Sequence, residues 1–136
     1  MTESELKDRF NRFAAEVYKL TTRFPGTPVY QNINYQLNKA ASSSGANYHA
    51  ACRAKSKADF INKLKIVEEE LDESIFWLNY LVSIDKQWSN DTEPLLKEGN
   101  ELLSIIVASI NTAKRNQKAS QYQESKIKNP NSNFKS

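Results

Sequence analysis

At 136 residues, with 39% hydrophobic residues, 3 glycines and 4 prolines, the chain is sized for one domain around a single core, and its long stretches free of helix breakers favour an all-helical protein. The single cysteine, Cys52, excludes an intramolecular disulfide and fits a reducing cytoplasm. Its longest aliphatic run is only Ile105 to Ala108, and Met1 to Phe10 lacks the apolar core of a signal peptide, so no membrane partner is expected. The net charge of +3 hides an asymmetry: six of the 19 basic residues, but only one of the 16 acids (Glu124), lie from Lys114 onward. The body is therefore mildly acidic and the tail basic, which fits nucleic acid, another acidic partner or plain solubility.

Four amphipathic segments follow in order. The first runs from about Ser4 to Thr22, with Leu6, Phe10, Phe13, Ala14, Val17 and Tyr18 spaced by three and four on one face. It stops before Phe24-Pro25-Gly26-Thr27-Pro28, where Thr27 and Pro28 suit the cap and first turn of the next helix. The second runs from about Pro28 to Ala54, with Tyr30, Ile33, Leu37, Ala40, Ala41, Ser44, Tyr48 and Ala51 inward. Ser42 to Gly45 is a poor helix former by propensity, yet the stripe keeps its phase across it and predicts a continuous helix.

Ser56 is placed as the N-cap of the third helix, with Asp59 in the capping-box position. Its seam is Phe60, Leu64, Val67, Leu71, Ile75, Leu78 and Val82. A turn is expected at Trp88 to Thr92, then a fourth helix with Pro94 in its first turn and Leu95, Leu96, Leu102, Leu103, Ile106, Val107, Ile110 and Ala113 on its apolar side. Beyond Arg115 the apolar periodicity is lost, which predicts disorder over residues 116–136. The expected fold is an all-α, antiparallel up-down-up-down four-helix bundle over residues 1–115 with a disordered, basic C-terminal tail. A three-helix core with the first segment docked loosely is the alternative.

The third segment carries a second apolar stripe. Ile66, Phe76, Trp77, Tyr80 and Ile84 fall about 120 to 160° from the core seam, among Glu69, Glu70 and Glu73. Opposite the core on the second helix lies a face of small residues, Ser42, Ser43, Ala46 and Ala50. A homo-oligomer in which the aromatic stripe of one subunit meets the small face of the next, closing into a ring, accounts for both. The alternative has Phe76 and Trp77 wrapping round to cover the core edge and the Trp88 turn.

Charge comes in two blocks. Arg53, Lys55, Lys57, Lys63 and Lys65 surround the connection between the second and third helices, and Glu68, Glu69, Glu70, Asp72 and Glu73 follow. They read as solvated helix faces with pairs such as Lys65 and Glu69, or, with Lys39, as a basic collar repeated around a ring for RNA or DNA phosphates. No aromatic platform interrupts the basic run, so base-specific reading is not expected. His49 and Cys52 are three residues apart, but no orienting group or oxyanion hole accompanies them, and two ligands are too few for zinc. Neither a Glu-x-x-His pair nor a Gly-x-x-x-x-Gly-Lys loop is present, so no enzyme, metal or cofactor is expected.

The run Leu37-Asn38-Lys39-Ala40-Ala41-Ser42-Ser43-Ser44-Gly45-Ala46-Asn47-Tyr48, followed by Ser56, Asp59-Phe60, Lys63-Leu64, Glu69, Glu73 and Trp77-Leu78, resembles the four-helix-bundle proteins encoded in intervening sequences of bacterial 23S ribosomal RNA genes. That family is similar to the accessory variability protein of diversity-generating retroelements, a basic barrel that binds nucleic acid and a reverse transcriptase. The resemblance implies a homopentamer without catalytic activity or cofactor. It places Asn47 at the family's polar position in the second helix, where a hydrogen bond across the bundle is expected, and Glu73 at its acidic position before Trp77. Tyr48-His49-Ala50-Ala51 departs from the pattern, which has a basic residue in place of His49 and Glu in place of Ala50.

Overall fold

In the computed structural model, which describes residues 1–128, the chain forms α1 (Glu3–Thr21), α2 (Pro28–Cys52), α3 (Lys57–Ile84) and α4 (Ser89–Lys128). One short 3-10 turn, Lys86–Trp88, joins α3 to α4. Connections this short force successive helices to run antiparallel. Both α1 and α3 pack against α2 and α4, so the four helices stand at the corners of a square in an up-down-up-down bundle.

Local chemistry sets the helix starts. Thr2 accepts the Glu5 amide and Glu5 answers the Thr2 amide, a reciprocal capping box that opens α1. Pro28 begins α2 as expected, although Thr27 makes no side-chain capping bond. Ser56 opens α3 by accepting the Asp59 amide at 3.1 Å. α2 is continuous through Ser42 to Gly45. The poor helix formers there serve packing: a Cβ on Gly45 would lie 3.4 Å from Cβ of Phe10, so α1 sits directly on the α2 backbone. The Phe10 ring stacks on Tyr48 with centroids 5.1 Å apart.

The core is built of Phe10, Phe13 and Val17 from α1, Ile33, Leu37 and Ala41 from α2, Leu64, Val67, Leu71 and Leu78 from α3, and Leu102, Ile106 and Ile110 from α4. Every residue of the expected α2 stripe is buried. Tyr18, expected inward, is 62% exposed, and Leu20 and Thr21 take the inward place at the end of α1. On α3 the expected Phe60, Ile75 and Val82 are half-buried, whereas Ile61, Ser74 and Leu81 are buried. Val107 of α4 is exposed.

α4 begins earlier than the sequence predicts, although α3 ends where expected. α3 stops at Ile84, and the Asp85 carboxylate accepts the Gln87 amide at 3.1 Å. Burial of Trp88 drives the change: its indole N–H donates to the Tyr30 hydroxyl at 3.1 Å, and Phe24, Tyr30 and Trp88 close one end of the bundle as an aromatic cluster. Ser89 to Thr92 are therefore already helical, and Pro94 sits inside α4 rather than in its first turn. Along the α1–α4 seam, the Arg9 guanidinium, mostly shielded from solvent, bonds both Glu98 and Glu101.

The largest departure is at the C-terminus, where the predicted disorder gives way to a helix that crosses residue 115 and runs to Lys128. The alternation of Ile106 and Ile110 continues through half-buried Ala113, Gln117 and Ser120. Lys57 donates to the Ser120 hydroxyl at 2.5 Å, tying this extension to the start of α3. Neither Gly nor Pro interrupts the chain between Gly99 and Lys128. The rest of the expected tail, 129–136 with Lys135, lies outside the described residues.

Candidate nucleic-acid and assembly surfaces

One end of the bundle gathers positive charge from two separate parts of the chain. The turn between α2 and α3 exposes Arg53, Lys55 and Lys57. The C-terminal part of α4 reaches the same end, because Phe60 shares a groove with Thr112, Ala113 and Asn116, and Lys57 meets Ser120. Lys57 reaches Ser120 with the end of its side chain, and residues 121–128 extend about 12 Å beyond Ser120. Lys114, Arg115, Lys118, Lys126 and Lys128 thus join the basic turn, with Glu124 the only acid of this extension.

The six predicted nucleic-acid residues do not form one patch. Arg53, Lys55 and Lys57 are together, with Lys57 engaged by Ser120. Lys63 and Lys65 lie about 160° apart around α3, one half-buried and one exposed. Lys39 stands about 21 Å back along α2 from Arg53, 5.8 Å above the Tyr35 ring. Lys39 also faces Glu70, whose carboxyl is pushed up first by burial and then by Glu73, with Lys39 acting in the opposite sense.

The second stripe of α3 is a surface cluster of rings. Phe76 is 56% exposed, and its ring lies parallel to Tyr80 with centroids 6.1 Å apart. Trp77 meets both rings edge-on, at 5.0 and 5.7 Å. Trp77 is itself half-buried against the core and donates from its indole to Glu73 at 3.4 Å, so the two accounts of the stripe divide here. Trp77 covers the core edge, while Phe76, Tyr80 and Ile84 face outward; Ile66 is half-buried.

On α2, Ser42 and Ala46 are exposed and Ser43 and Ala50 half-buried, leaving a shallow face without bulky side chains. The Ser42 hydroxyl donates to the Asn38 carbonyl at 2.8 Å. Asn47, expected to bond across the bundle, turns back on its own helix and donates to the Ser43 carbonyl at 2.9 Å. The small face begins a few residues from the α2–α3 turn, whereas Trp77 lies about 30 Å along α3 from it. In one subunit the two surfaces therefore stand at different heights.

The Cys52 thiol faces Tyr48 and Glu3; burial pushes its pKa up, the Glu3 carboxylate adds to this, and Tyr48 opposes it. An activated thiolate requires the opposite shift. Nε2 of His49 is buried without a hydrogen-bond partner. Among the described residues, no three His, Cys, Asp or Glu side chains are grouped to hold a metal ion, and no helix is long and apolar enough to cross a membrane.

This four-helix frame, with its continuous small-residue helix and Trp77 on the third, can now be set beside known proteins. A family model for the 23S rRNA-intervening sequence proteins matches residues 3–108. The chain belongs to this family. The crystal structure, at 1.70 Å resolution, of a protein of unknown function from the S23 ribosomal protein family of Bacteroides thetaiotaomicron VPI-5482 is similar. It has a TM-score of 0.72 and 27% identity, covering 82% of this chain and 99% of that one. None of the curated proteins compared matches. In this 23S rRNA-intervening sequence protein, Lys114 to Lys128 lie beyond the segment that defines the family.

The basic residues of this extension are evident in the sequence as a charged tail, whereas their place on a helix is not. The signal for that place is a spacing of three and four, at Arg115, Lys118, Tyr122 and Lys126, carried by polar rather than apolar residues.

Proposed function

We propose that this protein is a non-enzymatic accessory protein that assembles into a homo-oligomeric ring and associates with nucleic acid through the basic end of its bundle. The observation that carries the reading is the convergence of Arg53 and Lys55 with Lys114, Arg115 and Lys118 at one end of the molecule. In a ring each subunit presents that end again, so weak phosphate contacts add up. The exposed rings of α3 and the small face of α2 supply the two different surfaces of a head-to-tail contact, and because they stand at different heights the ring closes with its subunits tilted against the ring axis. A pentamer is favoured by the resemblance to the retroelement accessory variability proteins, and a cytoplasmic location by the lone cysteine.

A salt titration of binding to structured RNA and duplex DNA tests the nucleic-acid reading. Affinity should fall steeply as salt rises, and Arg53→Gln with Lys55→Gln should flatten the dependence. Absence of binding at low salt refutes it. The exposed Phe76–Trp77–Tyr80 cluster favours a second reading, a structural or adaptor bundle that docks another protein there. That reading gains if the protein neither binds nucleic acid nor self-associates.

A further inference from the structure

The C-terminal extension of α4 has two unlike faces. At about 100° per residue, Arg115, Lys118, Tyr122 and Lys126 fall within an arc of about 80°, with Lys114 about 40° further round. Glu124 lies about 160° from the centre of that arc, on the side of Ala113, Gln117 and Ser120. The polar underside is the one that rests on the bundle, through the bond from Lys57 to Ser120. The basic face consequently points away from the protein. Tyr122 is 55% exposed on it, and the Lys126 ammonium sits 4.6 Å above the Tyr122 ring, which holds that side chain on the same face.

We propose that this extension is a DNA-binding arm, with Arg115, Lys118 and Lys126 placed against the phosphates that border the major groove of a B-form duplex and Tyr122 turned into the groove between them. The inference rests on the nucleic-acid reading above and assigns its contact element and its preferred partner. Charge complementarity is one ground: five cations and a single acid occupy Lys114 to Lys128. Shape is the other. A helix with side chains is about 10–12 Å across and enters the roughly 12 Å major groove of B-DNA, whereas the deep, narrow major groove of A-form RNA does not admit it. The span from Arg115 to Lys126 is about 16 Å along the helix, enough to follow a groove edge over several phosphates. Fixed at Ser120 and free beyond it, the helix can lie in a groove without opening the bundle.

The experiment uses the full-length chain, with fluorescence anisotropy on a labelled DNA duplex and on an RNA duplex of the same sequence, across about 50 to 200 mM salt. The wild type should bind the DNA duplex at least about tenfold more tightly than the RNA duplex. Replacing Arg115, Lys118 and Lys126 together by Gln should reduce the slope of log affinity against log salt by about 2.7, or roughly 0.9 for each lost phosphate contact. Ala119→Pro keeps every charge but breaks the arm between Arg115 and Tyr122, and it should weaken DNA binding at least about tenfold. Melting temperature and oligomeric mass should stay as in the wild type, because the substitutions lie beyond the packed core. Binding to neither duplex overturns both the arm and the functional reading it rests on. Unchanged affinity in the Gln variant, with loss in Arg53→Gln/Lys55→Gln, overturns the arm alone. Equal affinity for the two duplexes, or an Ala119→Pro variant as tight as the wild type, overturns groove binding by a helix.

Discussion

Replacing Phe76 and Tyr80 together by Lys should convert the assembled protein to a folded monomer. The pair is better suited to the test than Trp77, which also packs against the core, so that its loss would mix unfolding with dissociation. Phe76 is 56% and Tyr80 37% exposed. With about 200 Å² for a full aromatic side chain, the two rings leave roughly 190 Å² for a partner, worth about 4–5 kcal/mol if fully buried. A loss of that size weakens each contact about a thousandfold or more, and two ammonium groups in a desolvated interface add to it. Light scattering on the wild type should give a multiple of 15.6 kDa and on the double variant a single chain mass, with unchanged helical circular dichroism. A double variant that keeps the wild-type mass removes the aromatic stripe from the interface. A wild type that is itself a monomer at micromolar concentration removes the assembly.

Three further outcomes follow from the interior and from the thiol. Leu71→Ala empties a fully buried position in α3 and should cost about 2–5 kcal/mol in urea unfolding followed by circular dichroism; a loss under about 1 kcal/mol would mean that α3 is not held in the centre of the core. Arg9→Ala removes bonds to Glu98 and Glu101 across the α1–α4 seam and should cost about 1.5–3 kcal/mol in the same assay, whereas a neutral result would assign the seam to apolar packing alone. Cys52 has a raised pKa in the folded state, so the neutral thiol is favoured by folding. The corresponding stability is complete below the unfolded thiol value of about 8.5 and disappears as pH rises through the folded value. Alkylation of the native protein should therefore still be accelerating above pH 8.5, and Glu3→Gln should lower the midpoint by removing the carboxylate beside the thiol; a midpoint unmoved by that change would separate Glu3 from Cys52.

The bundle was legible because its interior is written in period: the α2 stripe from Tyr30 to Ala51 is buried residue for residue. The misplacements have specific causes. Phe60 and Ile61, and Leu81 and Val82, are adjacent apolar pairs on α3, so spacing alone does not tell which of each pair takes the deeper side. Buried Ser74 is invisible to an apolar pattern, since its hydroxyl is satisfied within the helix by the Glu70 carbonyl. Trp88 opens a stretch that the sequence predicts as a turn, but its indole has a partner in Tyr30, 58 residues away. No local rule reports that bond.

The surfaces were harder to read than the core for a related reason. A list of lysines says which residues carry charge, but their distance from one another depends on the register between helices. Lys39 and Lys55 are only 16 positions apart in sequence, yet most of that interval is one rigid helix, which puts them at different heights. Lys57 and Ser120 are 63 apart and touch. The C-terminal extension combines both difficulties, since hydrophobicity fades after Ile110 while the alternation of three and four continues in Ala113, Gln117 and Ser120. The underside of this segment meets the start of α3 through Lys57 and Ser120, and that contact orients the basic face away from the bundle. Folding and binding in this segment are therefore separable: substitutions at Gln117 or Ser120 should alter how the arm is held, and substitutions at Arg115, Lys118 or Lys126 should alter what it holds.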